Sequence, residues 1–152
     1  MMKVVRGRPP LFDLIDQMFN IRGKPVLISW GRIIYVPTGN LDISPALMVH
    51  EQTHGDRQLF YCDPGAGIRL RNEERIELWW QRYIVDIDFR RDEEVLAHQA
   101  EYRHLCDHAG GRNQRRRHLS ILATKLSSPL YGPMMNKAAA RKVLEDGRPA
   151  NP

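Results

Sequence analysis

The sequence predicts an α+β fold: a mainly helical body with a small two- or three-stranded β-sheet beside one helix that carries a metal-binding pattern. Three observations predict it. Two short runs, residues 25–30 and 32–36, are rich in β-branched and aromatic residues and flank Gly31, so they read as a hairpin or two strands of a small sheet. Most of the remaining chain places apolar residues at helical spacing. Between the two lies the stretch 44–60, opened by Ser44-Pro45 and containing His50-Glu51-x-x-His54. Ser44 can accept from a free N–H of the first turn, and Pro45 suits the first helical position, where a missing N–H costs little.

At 152 residues the chain is expected to form one domain, over 1–152, large enough for a real core. Its 42% apolar content is ordinary for a globular protein. The net charge of +5 permits contact with an acidic surface without demanding it. Cys62 and Cys106 form no Cys-x-x-Cys motif, which excludes a structural zinc knuckle, and two free thiols are expected. No stretch approaches the roughly 18 apolar residues of a membrane span. No apolar run near the start is long enough for a signal peptide.

In chain order, residues 1–10 are basic and end in Pro9-Pro10, which predicts an extended arm. Leu11, Leu14, Ile15 and Met18 fall at helical spacing and predict a short amphipathic helix over 11–19, closed by Gly23 and Pro25. After the two strand runs, 37–40 is a turn cluster and 41–43 leads into the helix of residues 44–60. Asp63-Pro-Gly-Ala-Gly67 breaks the chain. A helix over 71–85 turns Ile76, Trp79, Trp80 and Tyr83 inward, and its two Trp are expected as core. Residues 86–88 read as a connection or cap. The next helix, over 89–108, sets Glu94, His98, Glu101 and Leu105 near one stripe, which marks a polar spot within a buried face. The run 112–117, with four Arg, reads as a solvated helix start, and a helix over 118–126 follows. It lacks the interleaved aromatics of a single-strand binder, so no specific nucleic-acid partner is expected. Residues 127–133 are a loop. Asn136 caps a last helix to about 146 by the usual side-chain acceptor rule, and 147–152 form a loose tail.

The chemistry centres on 50–54. Residues four apart stack on one helical face, so His50 and His54 can aim two imidazoles at one metal ion, with Glu51 beside its open side. Zn²⁺ held in this way keeps a position for water, brings its pKa towards neutrality and uses Glu51 as general base. A catalytic site needs a third protein ligand. The helix over 89–108 is its best source, and Glu94, Glu101 and His98 are the candidates. Glu94 and Glu101 stand about 10.5 Å apart along the axis, so only one of them serves a given ion. A developing oxyanion needs a further donor, for which Tyr83, His98 and Arg103 are available.

Glu94-Val-Leu-Ala97 resembles the Glu-x-x-Ala segment that supplies the third zinc ligand in gluzincin-type peptidases. The order of motifs extends the likeness. His50-Glu51-x-x-His54 is followed by Trp79-Trp80-x-Arg82-Tyr83, Glu94-x-x-Ala97, Glu101-Tyr102-Arg103, and Leu126-Ser-Ser-Pro-Leu-Tyr-Gly132. Over residues 26–145 this resembles small zinc metallopeptidase-like proteins encoded by tailed bacteriophages. The resemblance implies a zincin-like domain with His50, His54 and Glu94 as ligands of Zn²⁺ and Glu51 as base. It implies hydrolysis of amide bonds in a peptide, a protein or a peptidoglycan stem peptide. The alternative it carries is a structural virion component, of tail or baseplate, that keeps a peptidase fold and binds other phage structural proteins. Either way the expected place is the cytoplasm of the infected bacterial host or the assembled virion. One departure is plain. Many gluzincins have an acidic residue four positions after the ligand Glu, where this chain has His98.

Overall fold

The computed structural model describes residues 1–39, 42–62 and 70–147. It is mainly helical with a three-stranded mixed sheet, an α+β arrangement. The strands are β1 (Lys3–Arg6), β2 (Ile28–Trp30) and β3 (Ile33–Val36), in the order β1-β3-β2. The β2 and β3 strands pair antiparallel with Trp30 opposite Ile33, and Gly31 supplies the left-handed turn between them at φ 57°. The segment expected as an extended arm is extended, but it is not free. Lys3–Arg6 pair in parallel with Ile33–Val36 and make β3 the central strand. Two Pro and three basic residues hid this pairing, because a parallel edge strand is specified by its partner and not by its own pattern.

Six α-helices are described: α1 (Phe12–Phe19), α2 (Pro45–Leu59), α3 (Asn72–Val85), α4 (Ile87–Asp107), α5 (Arg112–Leu126) and α6 (Lys137–Asp146). Their ends follow local chemistry. Ser44 Oγ accepts from the Leu47 N–H at 3.2 Å with Pro45 opening α2, and Asn136 accepts from the Ala139 N–H at 2.9 Å to cap α6. Asp86 serves two helices. Its N–H donates to the Arg82 carbonyl and closes α3, while its carboxylate accepts from the Phe89 N–H at 3.0 Å and opens α4. So α4 starts at Ile87, two residues before the expected 89. The basic run is the first part of α5, which begins at Arg112 and not at 118. The expected chain break at 63–67, residues 40 and 41 of the turn and lead-in, and the tail beyond Gly147 lie outside the described residues.

Two apolar clusters flank the centre. One joins the sheet to α1 and α3 around Trp30, Trp79, Trp80 and Tyr83, so both adjacent Trp are core, as expected. The other joins α4, α5 and α6 through Tyr102, Leu122, Leu126 and Leu144. Helices α2 and α4 pack against each other between them. The approach of α2 to the sheet depends on Gly55, where a Cβ would stand 2.1 Å from the Gly31 carbonyl oxygen. Cys62 and Cys106 are free thiols. Among the described residues no helix is long and apolar enough to cross a membrane.

A candidate metal centre between two helices

Helix α2 turns His50, Glu51 and His54 inward, and α4 answers with Glu94, His98 and Glu101, all six of them buried. Buried ionisable groups at this density are rare unless they hold one another or a metal. His50 Nε2 lies 3.2 Å from His54 Nε2 and 3.9 Å from Glu94 Oε2, and His54 Nε2 lies 3.2 Å from Glu94 Oε1. The ring nitrogens of both histidines and the Glu94 carboxylate thus converge on one point, and these groups could hold a metal ion.

Glu101 sits elsewhere. Its Oε2 accepts from His50 Nδ1 at 3.1 Å, on the far side of the ring from His54 and Glu94. This fixes the His50 tautomer and turns a lone pair at Nε2 towards the convergence point. The acidic residue that holds the first histidine is therefore seven positions beyond Glu94, where a search at the fourth position finds His98. Lys125 approaches Glu101 Oε1 at 3.5 Å from α5. His98 Nδ1 donates to the Glu94 carbonyl at 2.9 Å, and its ring stands edge-on to His50 at a centroid distance of 4.5 Å. His50, His98 and Glu101 also bring ligand atoms within 4.8 Å of one another, so the cluster offers a second grouping that shares His50.

The electrostatics follow from burial against charge. Burial pushes the Glu94 carboxyl up, but His54, His50 and His98 outweigh it and hold the group well below the ordinary carboxylate range. Glu101 is likewise held low against its burial, by the His50 hydrogen bond and by Lys125. Burial drives His50 down, and the surrounding Glu101, Glu51 and Glu94 more than reverse this, so His50 is raised. Burial and the neighbouring His50 push His98 down to about 4, which leaves it neutral at pH 7. Burial and the Glu94 charge raise the Tyr83 phenol well above its usual value, and Tyr83 Oη donates to Glu94 Oε1 at 2.5 Å.

Glu51 faces β2. The Ser29 hydroxyl hydrogen-bonds its Oε2 and lies 3.0 Å from its backbone carbonyl. The only marker of Ser29 in the sequence is a single hydroxyl inside the apolar run 26–30. Tyr131, on a short 3₁₀ turn (Pro129–Tyr131), faces the cluster from the opposite side, with its ring edge-on to His98 at 6.1 Å. Burial and the charges of Glu94, Glu51 and Glu101 keep its phenol protonated, so it is a hydrogen-bond donor at the site. Ser128-Pro129 is a capping signature, but nothing in local sequence says that the turn it starts folds over α4. Of the three oxyanion candidates, Tyr83 and His98 are at the cluster. Arg103 is exposed and donates to the Gly147 carbonyl at 3.2 Å, away from it. Glu93, one residue before Glu94, is also buried, and its carboxylate is gripped bidentately by Arg57 of α2, which ties the two helices together beside the site.

A cavity of about 80 Å³ is lined by residues that include Ser29, His50, Glu51, His54, Glu94 and Tyr131. A larger groove of about 410 Å³ opens from it, sharing His50, Glu51 and Tyr131 as walls. Fold and site together define an α+β protein with a buried His/Glu cluster able to hold a metal ion. Among known proteins, no family model matches the chain, and no curated protein or solved structure is significantly similar to it.

Proposed function

We propose that this protein is a zinc-dependent hydrolase of amide bonds, of the metallopeptidase type, with His50, His54 and Glu94 as zinc ligands and Glu51 as general base. The observation that carries the reading is the spacing of the donor atoms. Tetrahedral zinc with bonds of about 2.0–2.1 Å separates its ligand atoms by about 3.3–3.4 Å. The two histidine nitrogens stand 3.2 Å apart, Glu94 Oε1 lies 3.2 Å from His54 Nε2 and Glu94 Oε2 lies 3.9 Å from His50 Nε2, and one ligand atom from each residue falls within 4.8 Å of the other two. The donor set of two imidazoles and one carboxylate suits zinc and leaves a fourth position. The cavity beside it exceeds the roughly 30 Å³ share of one water.

Bound zinc supplies Lewis acidity and brings the pKa of a water towards neutrality. The chain's own residues do the rest. Glu51, beside the cavity, accepts a proton from the attacking water and delivers it to the departing amine. Ser29 orients the Glu51 carboxylate. Tyr131, held protonated, donates to the oxygen of the scissile carbonyl as charge develops on it. Glu101 holds His50 in the ligating tautomer, and Tyr83 fixes one oxygen of Glu94. Support for a bacteriophage origin comes from the order of motifs over residues 26–145. The test is metal analysis of the purified protein with peptide hydrolysis in wild type and Glu51→Gln. Stoichiometric zinc in both and hydrolysis only in the wild type is the expected result. Absence of zinc after reconstitution overturns the reading.

A further inference from the structure

Resting on that reading of the site, we infer that its substrate is a short peptide with a bulky apolar side chain next to the scissile bond, recognised by that side chain and not by strand pairing along the sheet. Two independent features lead there. The first is that the sheet edge nearest the cluster is already occupied. β2 is an edge strand, and its free side faces α2 and the site. An extended peptide normally gains affinity by adding its backbone to such an edge. Here the Gln58 carboxamide takes the place of that backbone. Its Nε2 donates to the Ser29 carbonyl at 3.0 Å, and its Oε1 accepts from the Gly31 N–H at 2.7 Å. Trp80 Nε1 donates to the same Ser29 carbonyl at 3.1 Å. Backbone groups of alternate residues point to the same edge of a strand, so Ser29 and Gly31 are the outward residues, and the Ser29 carbonyl and the Gly31 N–H are engaged. Gln58 is fully buried, so this is a built contact and not a loose side chain. What is left for a substrate backbone is the Ser29 N–H and the end of the edge on its Leu27 side.

The second feature is the groove of about 410 Å³ that opens beside His50 and Glu51. Its size lies within the range of small-ligand pockets. Its wall is mainly apolar, and Phe19 from α1, Val26 and Leu27 from the approach to β2, Leu47 from α2 and Leu130 from the 3₁₀ turn are part of it. Five apolar side chains from four separate segments meet at a place where water-exposed loops would otherwise be polar. With backbone pairing cut short, burial of an apolar side chain here is the term left to carry affinity.

The experiment uses the zinc-loaded wild-type protein and two ladders of N-blocked peptides. One ladder sets Ala, Asp, Leu or Phe on either side of the scissile amide. The other holds Leu or Phe there and adds one to four residues outward on each side. On one side of the scissile bond, Leu or Phe should exceed Ala by at least tenfold in kcat/KM, and added length should change it less than threefold. Equal rates for Ala and Phe, or tenfold gains with length, overturn the inference. A second readout needs no catalysis: N-acetyl-phenylalanine amide should perturb the methyl resonances of Leu47 and Leu130 at concentrations at least tenfold below N-acetyl-alanine amide. Selective binding without any hydrolysis sinks the hydrolase reading and keeps the apolar groove. Hydrolysis without apolar preference does the reverse, and neither result sinks both.

Discussion

His50 is held between two carboxylates of one helix: Glu101 accepts from its Nδ1 at 3.1 Å, while Glu94 faces its Nε2 side. Two acids seven residues apart on α4 thus divide the ring, one orienting it and the other sharing the convergence point with His54. The roles separate by experiment. Glu94→Ala removes a donor atom and should abolish tight zinc binding. Glu101→Gln leaves all three donors and should weaken zinc about 10–100-fold, as loss of an orienting partner does. Competition with a chromophoric chelator measures both. A larger loss from Glu101→Gln than from Glu94→Ala would show that the ion sits with His50, His98 and Glu101 instead.

Glu51 carries the proton and does not hold the metal in this assignment. Its carboxylate is engaged by Ser29 on β2. Glu51→Gln should keep zinc at wild-type stoichiometry and lower kcat by about 10²–10⁴-fold, the span expected for a lost general base. Ser29→Ala should leave zinc in place and lower kcat less. Loss of zinc in Glu51→Gln comparable to that in His50→Ala would overturn the separation of base from ligands.

Gly55 sets the distance between the metal-site helix and the sheet. A Cβ there meets the Gly31 carbonyl oxygen at 2.1 Å, a backbone atom that cannot rotate away. Gly55→Ala should therefore destabilise by at least about 1–3 kcal/mol, the usual cost of forced overpacking, despite the better helix propensity of Ala. Urea unfolding followed by far-ultraviolet circular dichroism reads this directly. Unchanged stability would mean that α2 can lift from the Gly31 turn without loss.

Helix pattern and capping made much of this fold legible before any coordinates. Ser44-Pro45 and Asn136 mark helix starts, and the stripe Glu94, His98 and Glu101 is the buried face of α4. What stayed hidden is what depends on tertiary partners. β1 has too little pattern of its own to announce a parallel pairing with β3. Gln58 reads as one more polar residue of a helix, yet it is fully buried as a substitute for a neighbouring strand. Tyr131 and Ser29 are placed at the cluster by a turn and a strand whose local sequences say nothing of α2 or α4. Glu101 was visible as a rival of Glu94, but its bond to the opposite nitrogen of His50 needs the two helices docked.

The titration of the cluster predicts a stability maximum near neutral pH for the metal-free protein. His98 has a folded value of about 4 against 6.5 for the free side chain. Between those limits the unfolded chain takes up a proton that the folded one refuses, so stability is lost as pH falls through this window. The linked loss is on the order of 3 kcal/mol, at about 1.4 kcal/mol per unit. His50 runs the other way. Its folded value is raised, so its contribution is complete below 6.5 and is lost as pH climbs through the folded value. Glu94 and Glu101, both lowered from 4.5, add a further loss below that pH. Urea midpoints from pH 4 to 9 should trace this dome. Midpoints that rise steadily from pH 4 to 9 would contradict the direction for His50, and midpoints that fall steadily would contradict that for His98.

The last prediction concerns the start of α5. Arg112, Arg115, Arg116 and Arg117 are exposed there, and the first turn holds no acidic residue. Positive charge at a helix N-terminus opposes the macrodipole, so this placement costs stability and is not a requirement of the fold. Arg112→Glu should therefore raise the urea midpoint, and the gain should shrink at high salt as screening sets in. The same run has no aromatic residue for stacking on bases. Binding to duplex DNA should be weak, indifferent to sequence and steeply salt-dependent, because phosphate contacts release counterions. A salt titration with two unrelated duplexes, run on the wild type and Arg112→Glu, checks both halves. Tight binding that survives high salt and prefers one duplex would make the run a nucleic-acid site. A lowered midpoint in Arg112→Glu would mean that the arginines serve the fold through contacts worth more than the dipole they oppose.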